Sequence, residues 1–338
     1  MQSAKLVIVG GGKMGEALLR GILDAGWAIS EELAVVEPRQ ARRVELEARY
    51  PGLRVSSTPA RAGGAVIAVK PGDAVIAVKP GDAGGAVVAV KPGDAGGAVV
   101  AVKPGDAGGA VVAVKPGDAG GAVKPGGVGG AVIAVKPGDV EDACKSIAGL
   151  GITRCVSIAA GVTLAGLSAW LGPEVAVFRA MPNTPALVGA AATALASSGA
   201  TSEEDWEWAT QVLGSVGLVV RMAESSLDAV TGLSGSGPAY VFLVAEALID
   251  AGVSVGLTHE VSSALVVQTI LGAGRLLAES GESPAALRAA VTSPGGTTAA
   301  GLRALEAAAS RAAFIGAVEA ATARSAELGR PTPTPDLP

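Results

Sequence analysis

The residues with the most chemistry to offer are Ser293, Pro294, Gly295, Gly296, Thr297 and Thr298, set between two stretches rich in helix formers. A Pro-Gly-Gly turn that opens a helix gathers several unpaired backbone N–H groups at one place. The helix dipole makes that place favourable for an anion such as a carboxylate. The two threonine hydroxyls beside it can donate or accept. A carboxylate with a nitrogen next to it, as in a cyclic amino or imino acid, matches this donor set. Taken alone, the same run also reads as an ordinary helix N-cap with a glycine turn.

A second stretch, Gly10, Gly11, Gly12, Lys13, Met14 and Gly15, follows the apolar run 6–9 and precedes the helix-forming run 16–23. This is G-x-G-x-x-G in the strand–turn–helix context that dinucleotide binding requires. Gly10 serves the tight turn, Gly12 lets the backbone approach a pyrophosphate, and Gly15 lets helix and strand pack closely. A second strand at 33–36 ends on Glu37, 22 residues after Gly15. That is near the offset of about 20 at which a carboxylate accepts from an unphosphorylated ribose. Arg39, Arg42 and Arg43, just beyond, suit a 2′-phosphate and equally suit a solvated helix face. NAD and NADP both remain open on these residues.

The elements that must position these groups follow from periodicity. Strands are expected at 155–158 and 176–179, with weaker ones at 191–196 and 217–222 around a helix at 203–213. Trp206 and Trp208 in that helix read as packing. After residue 223 apolar residues recur at three- and four-residue spacings, predicting helices over 238–251, 259–280, 284–291, 297–308 and 312–328. The fold class expected is α/β: an N-terminal doubly wound, Rossmann-like sheet over 1–222, followed by an all-α dimerisation domain over 223–330. The tail 331–338 carries four prolines and is expected to be disordered. A lone bundle so rich in Ala and Gly would expose much apolar surface, which predicts association of subunits.

Composition agrees with an enzyme of this kind. The 338 residues suffice for two domains and a sizeable core. Hydrophobic residues make up 49% but aromatics only 3%, so the core must be built of Ala, Val, Leu and Ile. A net charge of −5 without a basic stripe argues against nucleic acid as a partner. Cys144 and Cys155 are too few for a disulfide framework and are expected to be reduced, as in the cytoplasm. No signal-peptide core is expected at the start, and no uninterrupted apolar run approaches ~18 residues, so no membrane span is expected. No residue is assigned to a metal, and the lone His259 receives no role.

With these blocks in view the chain resembles the pyrroline-5-carboxylate reductase family. The resemblance rests on Gly10–Gly15, on Ala134-Val135-Lys136-Pro137, on 157–163 with Ala160 and on 181–185 with Asn183. It continues through 228–240, which holds Thr231-Gly232-Leu233-Ser234-Gly235-Ser236-Gly237-Pro238, and ends in 284–306. It implies NAD(P)H-dependent reduction of a cyclic imine to L-proline, with NADPH as the cofactor and NADH possible. It implies that Gly10, Gly12, Lys13, Met14, Gly15, Glu37, Arg39, Ala134, Val135, Lys136, Pro137, Ala160 and Asn183 hold that cofactor. Ser293, Gly295, Gly296, Thr297 and Thr298 would hold the substrate, with Thr298 on the ring nitrogen as the catalytic residue. A helical domain that interlocks two subunits is implied too. One rival, a 3-hydroxyacid dehydrogenase relative, would need a lysine in the helical half, and none follows residue 223. A second, a dinucleotide-binding protein whose reductase is impaired, rests only on the repeat described next.

A-V-K-P-G occurs seven times between Ala68 and Gly138, and six copies extend to A-V-x-A-V-K-P-G-D. Each copy reads as one short buried strand broken by Pro and Gly. The family pattern needs one such unit, and excising 74–139 leaves an uninterrupted strand–turn–helix. The expected outcome is a loop, or strands competing for one slot, rather than a solenoid, because Ala and Val make a thin core and Gly-Gly spacers weaken each rung. Ligands bind at the carboxyl ends of strands in open α/β sheets. If the first copy filled the slot, the extra residues would leave over the cofactor; with the last copy, 131–137, they enter at the far edge. Substituting Lys136 and Pro137 should therefore reduce turnover far more than the same change at Lys70 and Pro71, and equal losses in a steady-state assay would refute this choice of copy.

Overall fold

The computed structural model of the protein describes residues 4–58, 66–67, 76–77, 129–199 and 201–329. The expected disordered tail, the short segment 59–64 and most of the repeat lie outside those residues. The chain divides into two compact units, Met1–Ser225 and Ser226–Pro338.

The first unit is built on an eight-stranded sheet. In chain order its strands are β1 (Leu6–Val9), β2 (Leu33–Val36), β3 (Arg54–Ser56), β6 (Ala131–Ile133), β7 (Arg154–Ser157), β8 (Ala176–Met181), β9 (Ala191–Ser197) and β10 (Gly217–Arg221). Two further two-residue strands from the first two repeat copies, β4 (Val66–Ile67) and β5 (Ile76–Ala77), pair antiparallel with each other, apart from that sheet. The spatial order is β10-β9-β8-β7-β6-β1-β2-β3, parallel throughout except between β8 and β9. β1, β2 and β6 are buried along their whole length, and all are continuous apolar runs. That is the pattern of strands covered on both faces.

The last repeat copy therefore takes the place between β1 and β7, with Val7 opposite Ala131 and Ala131 opposite Cys155. The spacer before it is part of the fit. A Cβ on Gly130 would lie 2.2 Å from Cζ2 of Trp208, a ring only 8% exposed. Trp208 thus packs as expected, and Trp206 meets Phe178 edge to face at 5.2 Å.

Helix α1 (Lys13–Asp24) buries Gly15, Leu18, Leu19 and Ile22, the 3.6-residue stripe that seats it on the sheet. It starts three residues before the run expected from sequence. Helix α2 (Gln40–Arg49) buries only Leu46, which explains why its pattern carried no clear signal. α3 (Val140–Ile147) follows β6 directly and packs against α4 (Leu164–Leu171), whose N-cap Thr163 accepts from Gly166 N–H at 3.1 Å. β3 and α4 are elements that the periodicity did not disclose. α5 (Glu203–Gly214) begins at a capping box between Ser202 and Asp205.

The second unit is helical: α6 (Leu227–Val230), a π-turn at Thr231–Gly235, α7 (Gly237–Ser254), α8 (His259–Glu279), α9 (Pro284–Ala290), α10 (Thr297–Ala307) and α11 (Ser310–Leu328). The π-turn is held by α11: a Cβ on Gly232 would lie 2.3 Å from Thr322 Oγ1, and Ser325 Oγ donates to Asp228 Oδ1 at 2.7 Å. Tyr240 Oη donates to the Gly232 carbonyl at 3.1 Å. Much of the 228–240 block is thus spent on its own geometry. Among the described residues of this unit only Leu227, Gly232, Ser262 and Ser325 are buried. The helical stretches Glu224–Ser254 and His259–Glu279 contain windows with mean hydropathy 1.3 and 1.5, long and apolar enough to cross a membrane by length and composition alone, although no uninterrupted apolar run of that length was found in the sequence.

A Gly130→Ala substitution should destabilise the first unit by about 1–3 kcal/mol, because the indole above it cannot retreat from a filled core. Thermal unfolding at neutral pH measures it, and an unchanged midpoint would show that Trp208 has room to move.

Candidate active site

The parallel sheet reverses its winding between β1 and β6, and both strands deliver their carboxyl ends to that point. Gly10 and Ala134 meet there. Gly10 has φ +110°, and a Cβ on it would lie 2.5 Å from the Ala134 carbonyl oxygen and 3.2 Å from Val135 Cγ1. Only glycine allows both that backbone conformation and that approach. A Cβ on Gly15 would lie 2.0 Å from the Gly10 carbonyl oxygen, so the first helical turn rests directly on the strand end. Gly12 differs: nothing lies within 4 Å of its Cβ position, and as N-cap of α1 it receives no side-chain capping bond. Lys13 is exposed and Met14 half-buried beside it. An open helix N-terminus with an empty glycine face at the switch point of the sheet fits a dinucleotide pyrophosphate.

Glu37 closes one side of this turn. It is 3% exposed and accepts from Arg39 three times, from the backbone N–H at 2.9 Å, from Nε at 2.8 Å and from Nη2 at 3.2 Å. Burial by itself would raise its carboxyl, but the Arg39 bonds and charge, with the Gly11 N–H, bring it below the ordinary 4.5. Arg39 lies over it with a side chain 68% exposed. Arg42, set beside Arg39 as a phosphate partner in the sequence reading, is turned inward instead. It donates through Nε to the Gly11 carbonyl at 2.8 Å and pairs with Glu16 and with Glu45. Arg43 donates to the carbonyls of Glu37 and Pro38 at 3.0 and 2.6 Å.

After β6, Lys136 is extended and exposed, and Pro137 opens a 3-10 turn that leads into α3. Ala160 is exposed in the turn after β7. Asn183, after β8, accepts through Oδ1 from Ala192 N–H at 2.9 Å, so its amide oxygen anchors the start of β9. The structure brings Gly10, Gly12, Gly15, Glu37, Ala134 and Val135 to one strand edge. Gly11 and Glu16 complete that edge without having been assigned a role of their own from sequence, and Arg42 joins them on the Gly11 carbonyl and Glu16 instead of standing free for a phosphate. The signal available was the spacing of Glu16 and Arg42 on two helices flanking one turn, which no local pattern reveals. The two thiols offer no nucleophile. Burial pushes Cys144 up to about 11, and burial followed by the proximity of Cys144 pushes Cys155 up strongly.

In the helical unit Ser293, Pro294, Gly295 and Gly296 form a turn with Gly295 at φ +71° and the Gly296 N–H donating to the Ser293 carbonyl at 3.1 Å. Pro at the second position and Gly at the third are what a type II turn demands. Gly296 is the N-cap of α10 and receives no side-chain capping bond, so the first turn, with Thr297 and Thr298 exposed on it, keeps its donors unclaimed by protein side chains. The five residues expected to hold a carboxylate thus lie on one turn at one helix start.

Comparisons with known proteins agree with both halves. A family model described as pyrroline-5-carboxylate reductase dimerisation matches residues 224–328, and one described as NADP oxidoreductase, coenzyme F420-dependent, matches residues 5–117. Pyrroline-5-carboxylate reductase of Mycobacterium leprae is 36% identical over 322 residues, covering 90% of this chain and 89% of that protein. The pea (Pisum sativum) enzyme of the same description is 48% identical over 151 residues, covering 45% of this chain and 55% of its own; the chain spans little more than half of such relatives. The crystal structure of Plasmodium falciparum pyrroline carboxylate reductase with NADP bound superposes with a TM-score of 0.67 at 27% identity, covering 98% of this chain and 100% of that one.

Because the folded-state carboxyl of Glu37 is depressed, its pairing adds stability above the unfolded value of 4.5, and that contribution is lost as the pH falls below it. Glu37→Gln should flatten the stability profile between about pH 5 and pH 3. Parallel acid-unfolding curves for the two proteins would show that the pair contributes nothing.

Proposed function

The chain belongs to the pyrroline-5-carboxylate reductase family, and on that premise we propose that it reduces the cyclic imine of 1-pyrroline-5-carboxylate to L-proline with NADPH. The observation that carries the reading is the open glycine face of Gly12 at the uncapped start of α1, where two parallel strands end. The N–H groups from Gly12 to Gly15 would hold the pyrophosphate, with Lys13 and Met14 beside it. Ala134, Val135, Lys136, Pro137, Ala160 and Asn183 would line the nicotinamide side. When bound, the reduced nicotinamide supplies the hydride. Arg39 supports NADPH over NADH: the Glu37 carboxylate already accepts from Arg39 and Gly11, so a ribose hydroxyl meets occupied acceptors, whereas a 2′-phosphate meets an exposed guanidinium. NADH would bind more weakly.

On the substrate side, the backbone from Ser293 to Thr297 would take the carboxylate and Thr298 the ring nitrogen. No carboxylic acid, histidine or lysine lies in that turn. The imine enters protonated, or water supplies the proton. Rate enhancement then comes from holding two reactants in register, on the order of 7–11 kcal/mol at most.

The helical unit supports a homodimer. Phe242, Leu243, Leu265, Val267, Phe314 and Ile315 are all 49% exposed or more, and a second copy of the same unit can cover them isologously. We read the apolarity of α7 and α8 as this interface, not as a membrane span, and place the protein in the cytoplasm on its two free thiols. Nucleic acid is not proposed as a partner, given the net charge of −5.

The test is oxidation of NADPH and of NADH by the full chain with 1-pyrroline-5-carboxylate, beside a chain lacking residues 74–139. Activity of both, greater with NADPH, is expected. Activity in the shortened chain alone would mean that the repeat disables a sound reductase, and folded but inactive forms of both would reject the assignment. Thr298→Ala should lower turnover by about 10- to 100-fold, the loss of one hydrogen bond to a charged group, with cofactor affinity retained. Unchanged kinetics would remove Thr298 from the mechanism.

A further inference from the structure

We propose that Arg42 is a positioning residue for the dinucleotide: it fixes the Gly11–Gly12 peptide so that the Gly12 N–H faces the pyrophosphate. The inference rests on the dinucleotide reading above. It starts from a mechanical problem in the glycine turn. Two adjacent glycines carry little steric resistance to rotation of the peptide between them, because neither has a Cβ to forbid the alternative. The peptide is planar and trans, so its C=O and N–H point in opposite directions. Whichever way the Gly11 carbonyl turns, the Gly12 N–H turns the other. A flipped peptide would present a carbonyl oxygen to a phosphate, replacing attraction by repulsion.

The structure restrains this peptide through charged side chains. The Gly11 N–H, in the preceding peptide, supports the buried Glu37 carboxylate and fixes the near end of Gly11. The Gly11 carbonyl accepts from Arg42 Nε at 2.8 Å. Arg42 itself has little freedom. Its side chain is 15% exposed, Nη1 pairs with Glu45 at 2.6 Å and Nη2 pairs with Glu16. Glu16, in the first turn of α1, also accepts from Arg49 at 2.5 Å and from Tyr50 Oη at 3.3 Å. All three guanidinium nitrogens of Arg42 therefore have a protein acceptor, and the group is committed to the turn and not directed at a ligand. On the far side of the same peptide, the Gly12 face is open. Arg42 thus acts on the cofactor through Gly11, while Arg39, exposed two residues past Glu37, is left to meet a 2′-phosphate.

This division of labour separates Arg42 from a 2′-phosphate ligand by its dependence on cofactor type, and its three occupied guanidinium nitrogens separate it from a pyrophosphate ligand. Calorimetric titration of NADPH, NADH and adenosine 2′-monophosphate into the full chain and its Arg42→Ala variant reads it directly. Expected is an equal rise in Kd for NADPH and NADH, about tenfold, as for one charge-assisted hydrogen bond. Adenosine 2′-monophosphate, which has no pyrophosphate, should bind as before. Arg49→Ala, which removes the other arginine on Glu16 without touching Gly11, should leave all three affinities unchanged. Arg42→Lys, which keeps the charge but offers its donors from a single nitrogen and so cannot span the Gly11 carbonyl, Glu16 and Glu45 together, should reproduce the uniform loss in milder form and stands in if the alanine variant does not fold. A loss confined to NADPH and adenosine 2′-monophosphate would make Arg42 a direct 2′-phosphate ligand and overturn the proposal. Unchanged affinities, or a lower melting temperature with unchanged affinities, would overturn it as well. If the unsubstituted protein bound neither dinucleotide, the functional reading itself would fall.

Discussion

The three-residue strand Ala131–Ile133 is hydrogen-bonded on both sides, to Leu6–Val9 and to Arg154–Ser157, and the first unit depends on that one insertion. A parallel sheet has no tolerance for an unfilled position, because the strands on either side would be left with rows of buried, unpaired backbone groups. Several segments of this chain have nearly the same text, so composition cannot decide which one enters. Connectivity can. The last copy runs without a gap into Val140–Ile147, whose buried Val140, Ala143, Cys144 and Ile147 close the sheet face, and it brings Gly130 beneath the indole of Trp208. The same insertion sets the Ala134 carbonyl against Gly10, which makes the geometry of the glycine turn a consequence of the strand choice.

Glycine and charge share the work at that turn. Gly10 and Gly15 are required by contacts of 2.5 Å and 2.0 Å that any side chain would violate. They purchase closeness at the cost of stiffness, and the stiffness is restored from outside. Glu37, Arg42 and Glu16 come from a strand end and from two helices, and they converge on the backbone of Gly11 or on the helix that follows it. Buried or half-buried ion pairs of this kind contribute modestly to stability. Their value lies in orientation: a fixed carbonyl on one side of a peptide is a fixed donor on the other.

The helical unit is governed by the opposite condition. Its four described buried residues cannot make a core, and its apolar side chains cover helix after helix. Local geometry is nevertheless sharply defined: Tyr240 on Gly232, Ser325 on Asp228, and a type II turn leading to the uncapped start of α10. Ordered turns with bare apolar faces suit the self-association proposed above, and residues 224–328 match the family model described as pyrroline-5-carboxylate reductase dimerisation.

Much of this was legible in the residues alone. The strands Leu6–Val9 and Leu33–Val36, the helix Val140–Ile147, and the starts of the helices at His259, Pro284 and Thr297 follow from apolar runs, caps and prolines, which act locally. So do the glycine fingerprint and the Pro-Gly-Gly turn, since φ preferences belong to single residues. What tertiary structure alone decided depends on groups far apart in sequence. Arg42 reads as a phosphate partner from its place after β2, yet it faces inward because Glu16, 26 residues earlier, and the Gly11 carbonyl offer it buried acceptors. Glu37 reads as a ribose acceptor, yet Arg39 fills it. The strand β3 and the helices α2 and α4 show weak periodicity because few of their side chains are buried or because they are short. The choice among near-identical repeat copies has no signature within the copies themselves; it was read from the unbroken run of the last copy into 140–147, and the pairing of Ala131–Ile133 between two strands agrees. Sequence determines which conformations each segment can adopt and which chemistry it carries, and only the packed structure, where buried polar groups must find partners, determines which acceptor each donor takes.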